Sequence, residues 1–413
     1  MKLAVLGSDK LVTTTNALLS EVFTGTIPSE VVVLSESQGT KDLTKLGDIL
    51  SLFSDVEIPV RQEVIGEGVE KWRQKVSTLD VDVADVTPGR KYMAVSVYAY
   101  SRANEVRYVY LKNEGQGYRV FGYVPFNEIK VVDVRGGKEI PFSPPKVNKG
   151  GRTSFTLSQD GLRALLNVYS LLGEVKVSIG GDELSLQELP EYAMETDDVK
   201  TCAIRSGLLI FKEEAEVRRK VDQNTFFIAD TNAYVNLGRR LGEITWSREF
   251  GRRLLPSRSV YNEIESHTNT TQKNDPSLKL FQLASYSFLS LHAPPYTSQS
   301  KGSGDIPLLN EVTSLKGTLP HVVLITGDAG VTRSAQAKGI DVVFLNKVVR
   351  GSPEGVGEFL QCLSLFGKDV EVLVEDRTVA RLKKQVRAGD EVEVYDQLRY
   401  AWAIEMAEKF IRE

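Results

Sequence analysis

Residues 226–232, Phe-Phe-Ile-Ala-Asp-Thr-Asn (FFIADTN), decide how the rest of this chain is read. An apolar, β-favouring run ends on Asp230 with two small polar residues behind it. A buried parallel strand delivers a carboxylate to the carboxyl edge of a sheet in this way, and open α/β folds do their chemistry at that edge. Further acidic residues recur where later strands or helices end. Glu263 lies in SVYNEIESH, Asp305 in KGSGDIPLL and Asp328 in HVVLITGDAG, the last another apolar strand followed by a turn and a carboxylate.

Carboxylates converging on one sheet edge repel one another and raise their own pKa values, so they stay ionised only beside cations. Oxygen ligands without Cys or His select Mg²⁺ or Mn²⁺. Such an ion activates water and stabilises the leaving oxygen of a phosphodiester, so the implied chemistry is hydrolysis of a nucleic-acid backbone. Each acidic residue also has a plainer reading, as a solvated surface charge or, for Asp230 and Asp328, as the cap of the following helix. Glu263 competes with Glu265, and on a helix only one of the two can face the cluster. Glu311, six residues past Asp305, reads as an outer-face charge.

At 413 residues the chain is long enough for two or three domains. With 41% hydrophobic and 26% charged residues it has the composition of a folded globular protein. A formal net charge of −4 excludes a globally basic binder, so any nucleic-acid surface must be local. Two cysteines, Cys202 and Cys362, exclude a disulfide framework or a cysteine-rich zinc site. The start, MKLAVLGSDKLV, lacks a signal-peptide h-region, and no apolar run reaches membrane-spanning length. A cytoplasmic protein with no membrane partner is expected.

The first region alternates strands (LAVLG, VVVLS, VDVADVT, VRYVYL) with helical patterns (Asp42 to Phe53, MAVSVYAYS), which predicts a doubly wound parallel sheet. Gly7-Ser8-Asp9 follows the first strand, and Thr87-Pro88-Gly89-Arg90-Lys91 follows VDVADV and opens a helix. Exposed amides, a glycine, a hydroxyl and two cations suit a phosphate, although Thr, Pro and Gly are also ordinary turn and capping residues there. The layout of residues 1 to about 185, and DVTPGRKYMAVSV in particular, resembles the CARF domain of CRISPR-associated proteins. The resemblance implies a Rossmann-like domain that binds cyclic oligoadenylate, tetra-adenylate favoured, across the two-fold axis of a homodimer. Ser8 and Asp9 match its first loop, and Thr87, Gly89, Arg90 and Lys91 its second. Pro88 stands where some relatives carry Gly. Some relatives also cut their activator, which makes Ser8 and Lys91 candidates for that activity.

IPFSPPKVNKGGRT reads as a loop or excursion. SQDGLRALLNVYSLL opens with a helix-start signal at Ser158 and Asp160, EVKVSIGGDELSL reads as a hairpin around Gly180-Gly181, and KEEAEVRRKVDQ as a charged helical connector. FIADTN, SVYNEIE, GSGDIPLLNEV and LITGDAG together then resemble the PIN-domain nucleases, whose four acidic positions they match in order. The resemblance implies that Asp230, Glu263, Asp305 and Asp328 are both the catalytic residues and the ligands of Mg²⁺ or Mn²⁺, with Thr326 and Asn232 as supporting groups. The stretch from His267 to Gly304 is longer than such a domain needs. The expected organisation is a CARF-like domain with its extension over 1–200, a connector over 201–224, a PIN-like α/β domain over 225–346, and an extension over 347–413 whose role stays open.

Between the first two carboxylates, Arg239, Arg240, Arg248, Arg252, Arg253 and Arg258 are interleaved with Trp246 and Phe250. Arginines neutralise phosphates and aromatics stack on unpaired bases. Alternatively Trp246 and Phe250, at i and i+4, pack into the core while the arginines solubilise a helix. His267, His292 and His321 form no nucleophile–base set and read as structural, with His267 near Glu263 in sequence. APPYTSQSKGSGD is a loop that could gate access to Asp305 or simply be a surface insert.

Joined, the two resemblances imply a cyclic-oligoadenylate-activated, metal-dependent endoribonuclease of type III CRISPR antiviral defence. Its favoured substrate is single-stranded RNA, and the first resemblance adds activator cleavage as a second activity. The alternatives are a ligand-sensing ring nuclease and a nucleic-acid-binding regulator with an inactive second domain.

Overall fold

The computed structural model describes residues 1–39, 42–112, 119–221, 223, 225–272, 275–298 and 302–412. The chain is α/β and divides into two compact units, one of residues 1–176, 371–382 and 391–413, the other of residues 177–370 and 383–390. Part of the expected connector, residues 222 and 224, and part of the APPYTSQSKGSGD loop, residues 299–301, lie outside the described residues. No helix among the described residues is long and apolar enough to cross a membrane.

The first unit is built on β1 (Lys2–Leu6), β2 (Glu30–Ser35), β3 (Val60–Val64), β4 (Val83–Asp85), β5 (Glu105–Leu111), β6 (Ile129–Asp133) and β7 (Lys138–Ile140), in the order β3-β2-β1-β4-β5-β6-β7. The first five run parallel, and β6 and β7 close the sheet antiparallel. Residues 3–6 of β1 and 31–34 of β2 are apolar and buried, as strands covered on both faces must be. α1 (Leu11–Phe23) follows β1 and α2 (Lys91–Tyr100) follows β4. Strand order reverses between β1 and β4, the position at which open α/β sheets bind ligands. The β3 strand, VRQEV, has a half-polar pattern that gives no apolar signal in sequence.

A second layer of this unit is assembled from distant sequence. Strand Ser154–Ser158 pairs antiparallel with Glu391–Asp396, which pairs with Arg377–Leu382. The closing helix Tyr400–Arg412 packs here: Tyr400 lies 5.9 Å from the Phe23 ring, and Arg152 makes two hydrogen bonds to Glu405, at 2.7 and 3.0 Å. Ser158 caps helix Gln159–Tyr169 as its position predicted, accepting from the Gly161 amide. The carboxyl-terminal extension, whose role the sequence left open, thus supplies part of the first unit, because its buried acids find their donors there.

The second unit holds a three-stranded parallel sheet of β8 (Phe226–Ala229), β9 (Val322–Thr326) and β10 (Asp341–Phe344) in the order β8-β9-β10. α3 (Thr231–Leu237) follows β8, and α4 (Arg258–Thr270), α5 (Asp305–Lys316) and α6 (Ala329–Ala337) supply the other groups of interest. Residues 197–206, which overlap the expected connector, form a helix buried in this unit, and Cys202 in it is disulfide-bonded to Cys362. Two cysteines cannot make a framework, but they do make one bridge.

Candidate functional sites

The geometry of the second unit follows from strand register. Ala229 pairs with Ile325, and the Asp230 amide donates to the Ile325 carbonyl at 3.0 Å, so Asp230 emerges level with Thr326 at the carboxyl edge. The Thr326 hydroxyl donates to Asp230 Oδ2, and the Ala233 amide donates to Oδ1 at 2.8 Å. Asp328, two residues past the adjacent strand, accepts from the amides of Gly330 and Val331 at 2.5 and 3.0 Å. Both aspartates therefore do cap helices, and both also stand at one sheet edge beside two positive helix ends. Burial pushes the Asp230 carboxyl up to about 7; its hydrogen bonds to Thr326 and Ala233 act against this, while the charges of Glu263 and Asp328 add to it.

Glu263 reaches this edge from α4: its Oε2 accepts from the Thr231 hydroxyl at 2.8 Å. Glu265 is exposed and accepts from Tyr261, so the helix directs Glu263 and not Glu265 towards α3. Asp305 is exposed at the head of α5, a helix that packs on α4 and β9. Among the described residues no group of three or more His, Cys, Asp or Glu side chains is arranged to hold a metal ion. Of the four expected carboxylates, the charges of Glu263 and Asp328 act on buried Asp230, and Asp305 is exposed at the head of α5. The all-oxygen donor set and the cost of crowding like charges around a buried Asp230 both fit a hard divalent cation.

Glu311 corrects its expected place on an outer face. It is buried and accepts from the hydroxyls of Ser257 and Ser259 at 2.7 and 2.6 Å, from the Arg258 amide at 3.0 Å, and from the Thr297 hydroxyl. Burial alone would raise its carboxyl, but the hydrogen bonds from Ser259, Thr297 and Ser257 outweigh it and hold the group below its ordinary 4.5. Glu311 thereby anchors the start of α4, the helix that carries Glu263. Its spacing was a readable signal, since Leu308, Glu311 and Val312 share one helical face. Thr231 was passed over in favour of Asn232, which is exposed.

The basic segment also departs from expectation. Trp246 and Phe250 lie on and beside a hairpin of Trp246–Ser247 and Gly251–Arg252 instead of a helix, and Trp246 is 54% exposed rather than core. Phe227 bridges Leu254 in parallel, so the hairpin, which precedes Leu254, lies towards the amino end of β8 and away from Asp230. Arg239 pairs with buried Glu358, and Arg240 with Glu214. Arg258 is different: at the head of α4 it stacks over Tyr261 and Tyr296, 5.2 and 5.3 Å from the ring centres. His267 stacks on Phe281 at 4.3 Å, and His292, pushed down to about 4 by burial and then by Arg252, meets the Tyr234 hydroxyl.

In the first unit a cavity of about 470 Å³ opens at the carboxyl ends of β1 and β2. Gly7, Ser8 and Asp9 line it from the first loop and Pro88 and Arg90 from the second, whereas Thr87, Gly89 and Lys91 do not. The amides expected to cradle phosphate are largely engaged: Gly7 donates to the Leu34 carbonyl at 2.7 Å and Ser8 to the Thr14 hydroxyl at 3.2 Å. The Ser8 hydroxyl accepts from the Lys10 amide, and that of Thr87 from the Val109 amide. Lys91 is exposed on the first turn of α2. Gly89 is required sterically, since a Cβ there would come within 2.1 Å of Leu6 Cδ1 and 2.9 Å of its Cβ.

Beneath the second loop sits a buried acid pair. Asp85 Oδ1 accepts from the Thr87 amide at 2.7 Å, and Glu21 Oε2 accepts from Arg107. Glu21 Oε1 and Asp85 Oδ2 are both buried without a donor, which one proton shared by the two carboxyls would satisfy. Burial and then the Asp85 charge push Glu21 up to about 8 against the pull of Arg107, and burial raises Asp85 as well. The folded value of Glu21 exceeds its ordinary 4.5, so the folded state keeps a proton that the unfolded chain has lost. Its stabilisation is complete below the unfolded value and is lost as pH rises through about 8. The urea midpoint of the wild type should therefore fall between mildly acidic and alkaline buffer, and Glu21→Gln, which is neutral throughout, should flatten that fall. An unchanged pH slope in Glu21→Gln would show that the pair does not share a proton.

No protein-family model and no curated protein matches the chain. A solved structure, described as the crystal structure of protein VC1899 from Vibrio cholerae, is similar with a TM-score of 0.28 and 9% identity, over 96% of this chain and 77% of that one. A likeness of that size supports no argument about fold or function.

Proposed function

We propose that this protein is a cyclic-oligoadenylate-activated, metal-dependent endoribonuclease of type III CRISPR defence, acting as a homodimer in the cytoplasm on single-stranded RNA. The observation that carries the reading is the convergence of Asp230 and Asp328 on adjacent ends of one parallel sheet, with Glu263 brought to the same edge through Thr231. Mg²⁺ or Mn²⁺ bound by these acids, and by Asp305 if α5 brings it in, would supply an activated water and a stabilised leaving oxygen. The chain's own residues do the rest. Thr326 and the Ala233 amide orient Asp230, Thr231 orients Glu263, and Glu311 holds the helix from which Glu263 projects. Arg258 is the arginine of the basic segment at the start of that helix and the best placed to meet a backbone phosphate.

The ligand half of the reading draws on the switch-point cavity, with Ser8, Asp9 and Arg90 in its lining, Thr87 and Gly89 in the loop before α2 and Lys91 on its first turn. Activation requires that the ligand bind one conformation more tightly than another. One observation favours a second reading, a ligand-sensing regulator whose second unit binds nucleic acid without cutting it: no closed three-ligand group is arranged among the described residues. Labelled RNA incubated with Mn²⁺ or Mg²⁺, with and without cyclic tetra- or hexa-adenylate, tests both. Ligand-stimulated cutting that Asp230→Asn abolishes and Lys91→Ala makes ligand-insensitive supports the nuclease. RNA binding without cutting supports the regulator, and linear adenylate products alone support a ring nuclease acting through Ser8 and Lys91.

A further inference from the structure

Glu36 follows β2 and faces the same cavity. Its side chain is 14% exposed; Oε2 receives Arg90 Nη1 at 3.1 Å, while Oε1 is buried with no donor among the described residues. An unmet buried carboxylate oxygen is costly and calls for an O–H or N–H donor. Gln62, on the neighbouring strand, does not provide one, because its amide already donates to the Ser35 hydroxyl at 2.7 Å and the Ser37 carbonyl at 3.1 Å. A bare carboxylate repels phosphate, so a phosphorylated ligand must turn its anionic part towards the Arg90 guanidinium, 61% exposed, and a neutral donor towards Glu36. In dinucleotide-binding doubly wound sheets an acid further along the chain than the first loop accepts from a ribose hydroxyl while the pyrophosphate lies by that loop, and Glu36 at the end of β2 beside this cavity is placed to do the same. Both conditions are met by one ribonucleotide.

We infer that Glu36 is a specificity residue of this cavity, accepting a hydrogen bond from a ribose 2′-hydroxyl so that ribonucleotides bind in preference to deoxyribonucleotides. The inference rests on the proposed oligoadenylate reading and adds to it a residue that neither loop contains. Arg90 has two tasks in this arrangement, holding Glu36 in place and meeting phosphate, which explains why the second loop needs a cation aimed back across β1.

Titration calorimetry on the full chain tests this with cyclic tetra-adenylate, its all-2′-deoxy counterpart, and a ring of inosine units that keeps the hydroxyls but lacks the base amino groups. The wild type should bind the ribose ring about 10- to 100-fold more tightly than the deoxyribose ring, the range of one hydrogen bond to a charged acceptor. In Glu36→Ala the two affinities should converge. Glu36→Gln keeps the volume and one acceptor, so it should keep the melting temperature and part of the preference, and its ratio decides the matter if Glu36→Ala folds poorly. A wild type indifferent to the 2′-hydroxyl, or a Glu36→Ala variant that retains the preference, overturns the role of Glu36 while leaving the oligoadenylate reading intact. So does a Glu36→Ala variant that loses only discrimination against the inosine ring, since Glu36 would then serve the base. Failure of every ring to bind the wild type overturns the oligoadenylate reading itself, and this role with it.

Discussion

Asp230→Asn should lower ligand-stimulated RNA cleavage on the order of 10³-fold or more while leaving the fold intact. The variant keeps the side-chain shape and removes the charge that a cation would need. Burial already pushes the Asp230 carboxyl up to about 7, so the neutral side chain relieves a cost. Asn can still accept from the Ala233 amide and can donate to the Thr326 hydroxyl. Its melting temperature without divalent ions should therefore equal or exceed that of the wild type. Added Mn²⁺ should raise the melting temperature of the wild type, since a ligand that binds only the folded state stabilises it by mass action, and should leave Asp230→Asn unmoved. Cleavage by the variant at the wild-type rate, or a wild-type melting temperature indifferent to Mn²⁺, would remove the metal from this site.

The second large effect concerns the first unit. Arg107→Ala should cost about 3–5 kcal/mol, the range for stripping one partner from a buried ion pair. Arg107 is 7% exposed and donates to Glu21, to Glu105 at 2.7 Å and to the Thr26 hydroxyl at 2.8 Å. Its loss leaves the Glu21–Asp85 pair without a counter-charge beneath the Thr87 loop. Arg107→Lys should rescue little, because an ammonium cannot reproduce the planar fork. Adding Glu21→Gln to Arg107→Ala should return part of the loss, and the double-mutant cycle measures how much. Hydrogen exchange along β5 reports the first unit separately from the second. Additive losses would mean that Arg107 and Glu21 do not act together.

Both effects were unequally visible in the chain. FFIAD and VVLIT read as buried strands ending near Asp230 and Asp328, because burial on both faces demands an unbroken apolar run and carboxyl-end chemistry demands a polar stop. The helix over 91–100 and the cap at Ser158 were legible for similar local reasons. Glu36 was not: the residue after VVVLS is an ordinary polar loop position until Arg90 is set against it. Glu311 was misjudged as an outer charge although its spacing matched Leu308 and Val312. One reading of the basic segment used a helical period, which a turn over 248–250 followed by Gly251 at φ +69° breaks into a hairpin. Nothing local in VRQEV announces a strand, and nothing local in the last fifty residues says that Glu405 will meet Arg152.

The sequence by itself determined the buried apolar strands, the helix start at Ser158 and the acids that could share an edge, since each depends on neighbours within a few residues. Tertiary structure alone decided that Glu263 rather than Glu265 meets Thr231, that Cys202 bonds Cys362, and that the carboxyl-terminal strand and helix complete the first unit. Those outcomes depend on which buried charge or hydroxyl finds a partner across 30 to 250 residues, and strand register and packing, not local pattern, set those distances.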